Sequence, residues 1–138
     1  MRMTRRTAAA GVLGGFGALS TLMATPLAAQ AKDKAARLCL TVLYPWQEDA
    51  KFDFAYYRDK HLVMLRDLYG ASVGKMEIRK GLRKGDGSAP SFVASVTIEI
   101  LSMEGFDAAG KQHFPTLAAD VPNFSNIKPL GQIEEIVD

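Results

Sequence analysis

The sequence predicts an α+β fold: a ferredoxin-like β-α-β-β-α-β domain with a four-stranded antiparallel sheet. Three observations predict it. Residues 52–70, FDFAYYRDKHLVMLRDLYG, carry one apolar face at helical spacing. Residues 91–101 alternate between apolar and polar or small side chains, the period of a strand. A second capped helical pattern and a last strand-like run then follow, so the strand–helix–strand unit occurs twice.

In chain order, residues 32–37 are a polar lead-in and residues 38–44 form the first strand. Leu38, Leu40, Val42 and Tyr44 share one face of it; Cys39, Thr41 and Leu43 share the other. Pro45 ends it. In the first helix Asp53 is the N-cap, since its carboxylate can accept an amide hydrogen of the opening turn. Phe54, Tyr57, His61, Leu65 and Leu68 make the inner face, and Gly70 is the stop. The second strand covers residues 75–82, with Met76, Ile78 and Lys80 alternating with Glu77, Arg79 and Gly81. Residues 84–90, KGDGSAP, are a turn. Residues 91–101 are the third strand. Ser102 caps the second helix, whose inner stripe is Met103, Phe106, Ala109, Gly110 and His113. Pro115 is expected to interrupt it, with a short turn running on to Asp120. Residues 130–137 form the last strand.

The first 31 residues read as an export signal rather than as part of the fold. Arg2, Arg5 and Arg6 precede an apolar run rich in Ala, Gly, Leu and Thr, and Ala29-Gln30-Ala31 has the form of a signal-peptidase site. Cleavage is expected before Lys32. The paired arginines resemble a twin-arginine signal, and general secretion is the other route. Either makes the protein periplasmic or secreted, without stable membrane association after cleavage. The whole chain has 17 basic and 15 acidic residues, and three of the basic ones precede Lys32, so the mature chain is close to neutral. It has no basic stripe with interleaved aromatics, and no nucleic-acid partner is expected. Residues 32–138 have the length of one domain. The single cysteine, Cys39, cannot form an internal disulfide and is expected to be buried in its strand.

Right-handed crossovers place both helices on one face of the sheet. The other face then carries Thr41, Leu43, Val93, Ser95 and Thr97, too apolar for a solvated surface and too polar for a core. A second copy packed sheet to sheet resolves this, and predicts a homodimer closing a dimeric α+β barrel around a cavity of mixed lining.

Several segments resemble the EthD family: Leu43-Tyr44-Pro45, Phe52-Asp53, Tyr56-Tyr57, Lys60-His61, Lys80-Gly81, Phe106, Val121-Pro122-Asn123-Phe124, Ile127 and Pro129. The resemblance spans residues 38–137. It implies a dimeric α+β barrel. The family's name comes from a protein associated with ether-degrading cytochrome P450 systems, and its members are often labelled oxidoreductases. Related barrels include muconolactone isomerases and cofactor-free monooxygenases.

His61 is the first candidate for catalysis, as a general base or acid, because an imidazole titrates near neutrality. Tyr57, one turn away, is the group expected to bond or orient it. The competing reading is a core or interface histidine bonded to a backbone carbonyl. Tyr44, Trp46, Thr41, Ser95, His113 and Asn123 are candidates for substrate contact. Each has a structural alternative: aromatics pack cores, hydroxyls meet across an interface, His113 can serve a helix end, and Asn123 suits a turn. Two histidines on separate helices and one cysteine do not suggest a metal site. The glycines between Gly81 and Gly87 lack the spacing of a nucleotide-binding loop, so no cofactor is expected. Together with these residues, the resemblance to the EthD family implies cofactor-independent oxidoreductase or isomerase chemistry on a small hydrophobic, oxygenated molecule, with His61 as the base. The alternative is a non-catalytic carrier, or an accessory dimer of a redox pathway.

Overall fold

A computed structural model describes residues 35–138; the export signal expected at residues 1–31 lies outside them. The chain runs through β1 (Leu38–Pro45) into a helical segment of three parts: a single turn α1 (Phe54–Tyr56), a π-helical turn (Tyr57–His61) and α2 (Leu62–Tyr69). A 3-10 turn (Gly70–Ser72) leads to β2 (Val73–Lys80), then β3 (Phe92–Ile100), α3 (Met103–Asp120), a second 3-10 turn (Val121–Asn123) and β4 (Leu130–Glu135). The strands lie in the order β2-β3-β1-β4, and every neighbouring pair is antiparallel. This is the ferredoxin-like β-α-β-β-α-β arrangement that the pattern predicts.

Local signals act where the sequence places them. The Asp53 carboxylate accepts from the Tyr56 amide at 3.0 Å, and the Ser102 hydroxyl accepts from the Gly105 amide at 3.1 Å. Gly70 closes the first helical segment at φ 56°, where only glycine is unstrained. Cys39 is buried and free, as its strand position predicts.

The register sorts the side chains. Leu40 pairs with Ile98, Val42 with Val96 and Tyr44 with Ala94, so these six share one face of the sheet. Ala94, Val96 and Ile98 are wholly buried there, in one core with Leu62, Leu65 and Tyr69 of α2 and Leu117 of α3. The opposite face carries Thr41, Ser95 and Thr97, as expected, but also Glu77, Arg79 and Glu134. Arg79 bonds Thr97 Oγ1 at 2.8 Å and Glu77 at 2.6 Å, and Thr41 and Cys39 both donate to Glu134. The face is more charged than the central strands alone suggested, because the edge strands bring the charges.

Four expectations are corrected. The second strand starts at Val73 and ends at Lys80, and the last strand ends at Glu135. Pro115 does not interrupt the second helix, which continues to Asp120. Proline removes one backbone hydrogen bond, but buried Leu117 and the side-chain bonds of Asp120 fasten the turns beyond it. In the first helix the buried face is Tyr57, His61, Leu65 and Tyr69, with Leu62, rather than a stripe ending on Leu68. The Leu62 amide bonds the Tyr57 carbonyl five residues back, and this wider turn shifts the face by one position.

Gly81 shows why one position of the strand end admits no side chain. Its amide donates to Val93 O at 2.8 Å, and a Cβ placed on it would lie 1.8 Å from the Phe92 carbonyl oxygen. Gly81→Ala is expected to cost about 1–3 kcal/mol through forced backbone displacement. Urea unfolding would read this as a lower midpoint at an unchanged m-value.

Candidate functional site

The site is held by two loops joined to each other. The Asp53 amide donates to Phe124 O at 2.8 Å. Ser125 Oγ donates to Lys51 O at 2.8 Å and accepts from the Ile127 amide at 3.0 Å. Asn126 accepts from the Lys51 amide at 2.8 Å and donates to Asp49 O at 2.7 Å. The segment after α3 is thereby fixed against the entry to α1, and the end of α3 lies beside the π-helical turn.

There Asp120 meets His61. The Asp120 Oδ2 atom lies 2.9 Å from His61 Nδ1, while Oδ1 accepts from Tyr56 Oη at 2.8 Å and Asn123 Nδ2 at 2.9 Å. His61 is buried, packed between Tyr57 at 5.1 Å and Phe124 at 4.7 Å between ring centroids. Burial works against the Asp120 charge, but the bonds from Asn123, His61 and Tyr56 outweigh it and hold the carboxyl below its usual range. A carboxylate there makes His61 Nδ1 the protonated nitrogen. Nε2 takes part in none of the hydrogen bonds found, and no buried side-chain nitrogen or oxygen among the described residues is unpaired. Nε2 therefore keeps some exposure, and His61 lines a cavity.

That cavity has a volume of about 660 Å³, within the range of small-molecule sites. It lies between the helices and the sheet, inside one chain. Leu40, Val42, Leu65, Ile98 and Leu117 give it apolar walls, and His61, Tyr44, Tyr57 and Tyr69 also line it. Burial pushes Tyr44 up to about 12, with a hydrogen bond from Tyr57 pulling the other way. Tyr57 is raised too, first by burial and then by Tyr44.

The structure brings together Tyr44, Tyr57 and His61 of the residues singled out from sequence. Tyr57 orients His61 by stacking, at 23° between ring planes, while the hydrogen bond comes from Asp120. Asn123 sits one hydrogen bond behind the site, on Asp120. Thr41 and Ser95 are not brought to it: strand alternation turns them to the opposite face of the sheet. Trp46 is exposed and does not line the cavity. His113 is half-buried, mid-helix rather than at a helix end, and outside the cavity lining. Among the described residues, no three His, Cys, Asp or Glu side chains gather as a metal site would require, and no helix is long and apolar enough to cross a membrane.

Sequence reasoning missed Asp120. One signal was available. A carboxylate in the last turn of a helix faces the negative end of the dipole, with no basic residue there to offset it. An unfavourable placement of that kind calls for partners elsewhere, and His61, Tyr56 and Asn123 are those partners.

The fold and site together define an α+β protein of ferredoxin-like topology with a small-molecule-sized cavity lined by a histidine that is bonded to a carboxylate. No protein-family model matches the chain, and no curated protein does. Solved structures do. An EthD-like protein from Ralstonia eutropha JMP134 is 34% identical, over 76% of this chain and 96% of that one, with a TM-score of 0.70. An ethyl tert-butyl ether D (EthD) family protein from Bacillus halodurans C-125 is 16% identical, over 73% of this chain and 99% of that one, with a TM-score of 0.56, and shares the fold. The chain belongs to the EthD-like family.

Because the Asp120 carboxyl is held below its unfolded value of 3.8, its contribution to stability is complete above that value. It is lost as pH falls through the lowered folded value. Asp120→Asn is expected to cost about 1–3 kcal/mol at neutral pH, as hydrogen bonds to a charged group are lost or weakened. The gap in melting temperature between the native chain and the variant should narrow on acidification through the carboxylate range. A gap independent of pH would mean that the carboxylate charge is not what stabilises the site.

Proposed function

We propose that this EthD-like chain is an enzyme that binds a small, largely apolar, oxygenated molecule and moves a proton within it. The observation that carries the reading is His61 in the wall of the cavity, bonded through Nδ1 to Asp120 and with Nε2 left unbonded. Asp120 holds the proton on Nδ1, so Nε2 presents a lone pair. It takes a proton from a carbon next to a ligand carbonyl, and the Asp120 charge stabilises the imidazolium that forms. The electron pair left behind becomes an enolate. The Tyr44 hydroxyl can donate to that oxygen, and it stays protonated because its burial disfavours the phenolate. Where a carbon–carbon double bond adjoins the deprotonated carbon the enolate is a dienolate, and return of the same proton to its far carbon shifts the double bond and completes an isomerisation. No atom is gained or lost, and no electron acceptor is required.

The reading includes a homodimer through the helix-free face of the sheet, supported by the partial burial of Thr41, Leu43, Val93 and Ser95. It also places the protein outside the cytoplasm, on the strength of residues 1–31 alone. A second reading is a carrier: the apolar walls alone favour holding such a molecule, whatever His61 does.

A screen of small lactones and aromatic ketones, followed by kinetics, separates the two. With a substrate in hand, His61→Gln is expected to lower kcat by about 10²–10⁴-fold while ligand affinity changes only a few-fold. Tyr56→Phe is expected to lower kcat less, because Asp120 keeps two of its three partners. Tight binding with no turnover in the unaltered chain would favour the carrier. Undiminished turnover in His61→Gln would remove His61 from the chemistry.

A further inference from the structure

The mouth of the cavity carries a charge that the proposed chemistry does not use. Residues that both line the cavity and are themselves exposed mark where it opens, and Phe114, Ala118, Asn126 and Lys128 are among them. On this rim the polar side chains of the 125–126 loop are already committed: Ser125 bonds Lys51 O, and Asn126 bonds Lys51 N and Asp49 O. Lys128 makes no ion pair or side-chain hydrogen bond among those found in the described residues. Among the described residues no aspartate or glutamate lines the cavity, and Lys128 is its one permanently charged lining residue. Phe114, another exposed lining residue, is 61% exposed, a large aromatic surface left in water.

A cavity with apolar walls and a lone cation at its mouth selects for one kind of molecule. We infer that the natural ligand is an amphipathic organic anion: an apolar ring system inside, and a carboxylate or other anionic group at the mouth beside Lys128. The inference rests on the reading of this cavity as the ligand site, and adds the charge of the ligand and the residue that reads it. An interior anionic group would have to be desolvated among leucines and isoleucines. At the mouth it keeps its water and gains an ammonium. Phe114 covers the portion of the ring system nearest the opening.

Two fluorescent probes with one carbon skeleton test this on the full chain. 8-Anilinonaphthalene-1-sulfonate is an amphipathic anion, and N-phenyl-1-naphthylamine is its neutral counterpart. Lys128→Ala is expected to weaken the sulfonate about two- to fivefold, the size of a solvent-accessible ion pair, and to leave the amine unchanged. Lys128→Arg should restore sulfonate binding, and added salt should weaken the sulfonate alone. Ala118→Trp, which fills the cavity from an exposed position without removing a core side chain, should weaken both probes. If both probes respond to Ala118→Trp but neither to Lys128→Ala, the anion inference is overturned and the cavity remains a ligand site. If Ala118→Trp affects neither probe, the cavity is not where they bind, and both readings fall.

Discussion

The structure depends on a seam between two loops that lie more than seventy residues apart. Lys51 and Asp53 on one side, Phe124, Ser125 and Asn126 on the other, exchange backbone and side-chain hydrogen bonds, including a bridge between Phe52 and Ser125. This joins the start of the first helix to the end of the second. Phe124 is buried in the seam and touches Phe52, Tyr57, Tyr56 and His61. Its backbone carbonyl receives the Asp53 amide, and its ring forms one side of the histidine's slot. Two segments that carry the family resemblance, Tyr56-Tyr57 with His61 and Pro122-Asn123-Phe124, are the two sides of this seam.

The seam also explains how a carboxylate is kept at a position that a helix by itself disfavours. Asp120 is partly withdrawn from water and lies at the negative end of α3. Three donors from two different parts of the chain offset both costs. Asn123 comes from the following turn, while Tyr56 and His61 come from the first helical segment. The arrangement is cooperative in a simple sense. The bonds from Tyr56 and His61 require the two segments to be brought together, while the bond from Asn123 is local to the turn after α3. A histidine that sequence alone leaves between core filler and base acquires a fixed tautomer and an open nitrogen by this route.

The two faces of the sheet divide the molecule's tasks. Strand alternation sends Leu40, Val42 and Tyr44 to the helices and Thr41, Ser95 and Glu134 away from them. Between the sheet and the helices the packing leaves a cavity instead of a filled core, and this is where the tyrosines and His61 converge. The π-helical turn contributes directly. By adding one residue to a single turn it lays Tyr57 over His61, ring against ring, and keeps both facing the sheet.

The sequence by itself determined the architecture. Binary alternation in β1 and β3, the Asp53 and Ser102 caps, the Gly70 stop and the repeated strand–helix–strand order are local signals, and local physics reads them directly. It also determined that Tyr57 and His61 share a helical face, since a spacing of four residues allows little else. What it did not determine was the partner of His61, the side of the sheet on which the cavity lies, or the persistence of α3 past Pro115. Those depend on Asp120, Phe124 and Leu117 meeting residues remote from them in the chain, contacts with no periodic signature. Only the closed seam between the two loops decides them, because a side chain's environment is set by what folding packs against it rather than by its neighbours in sequence.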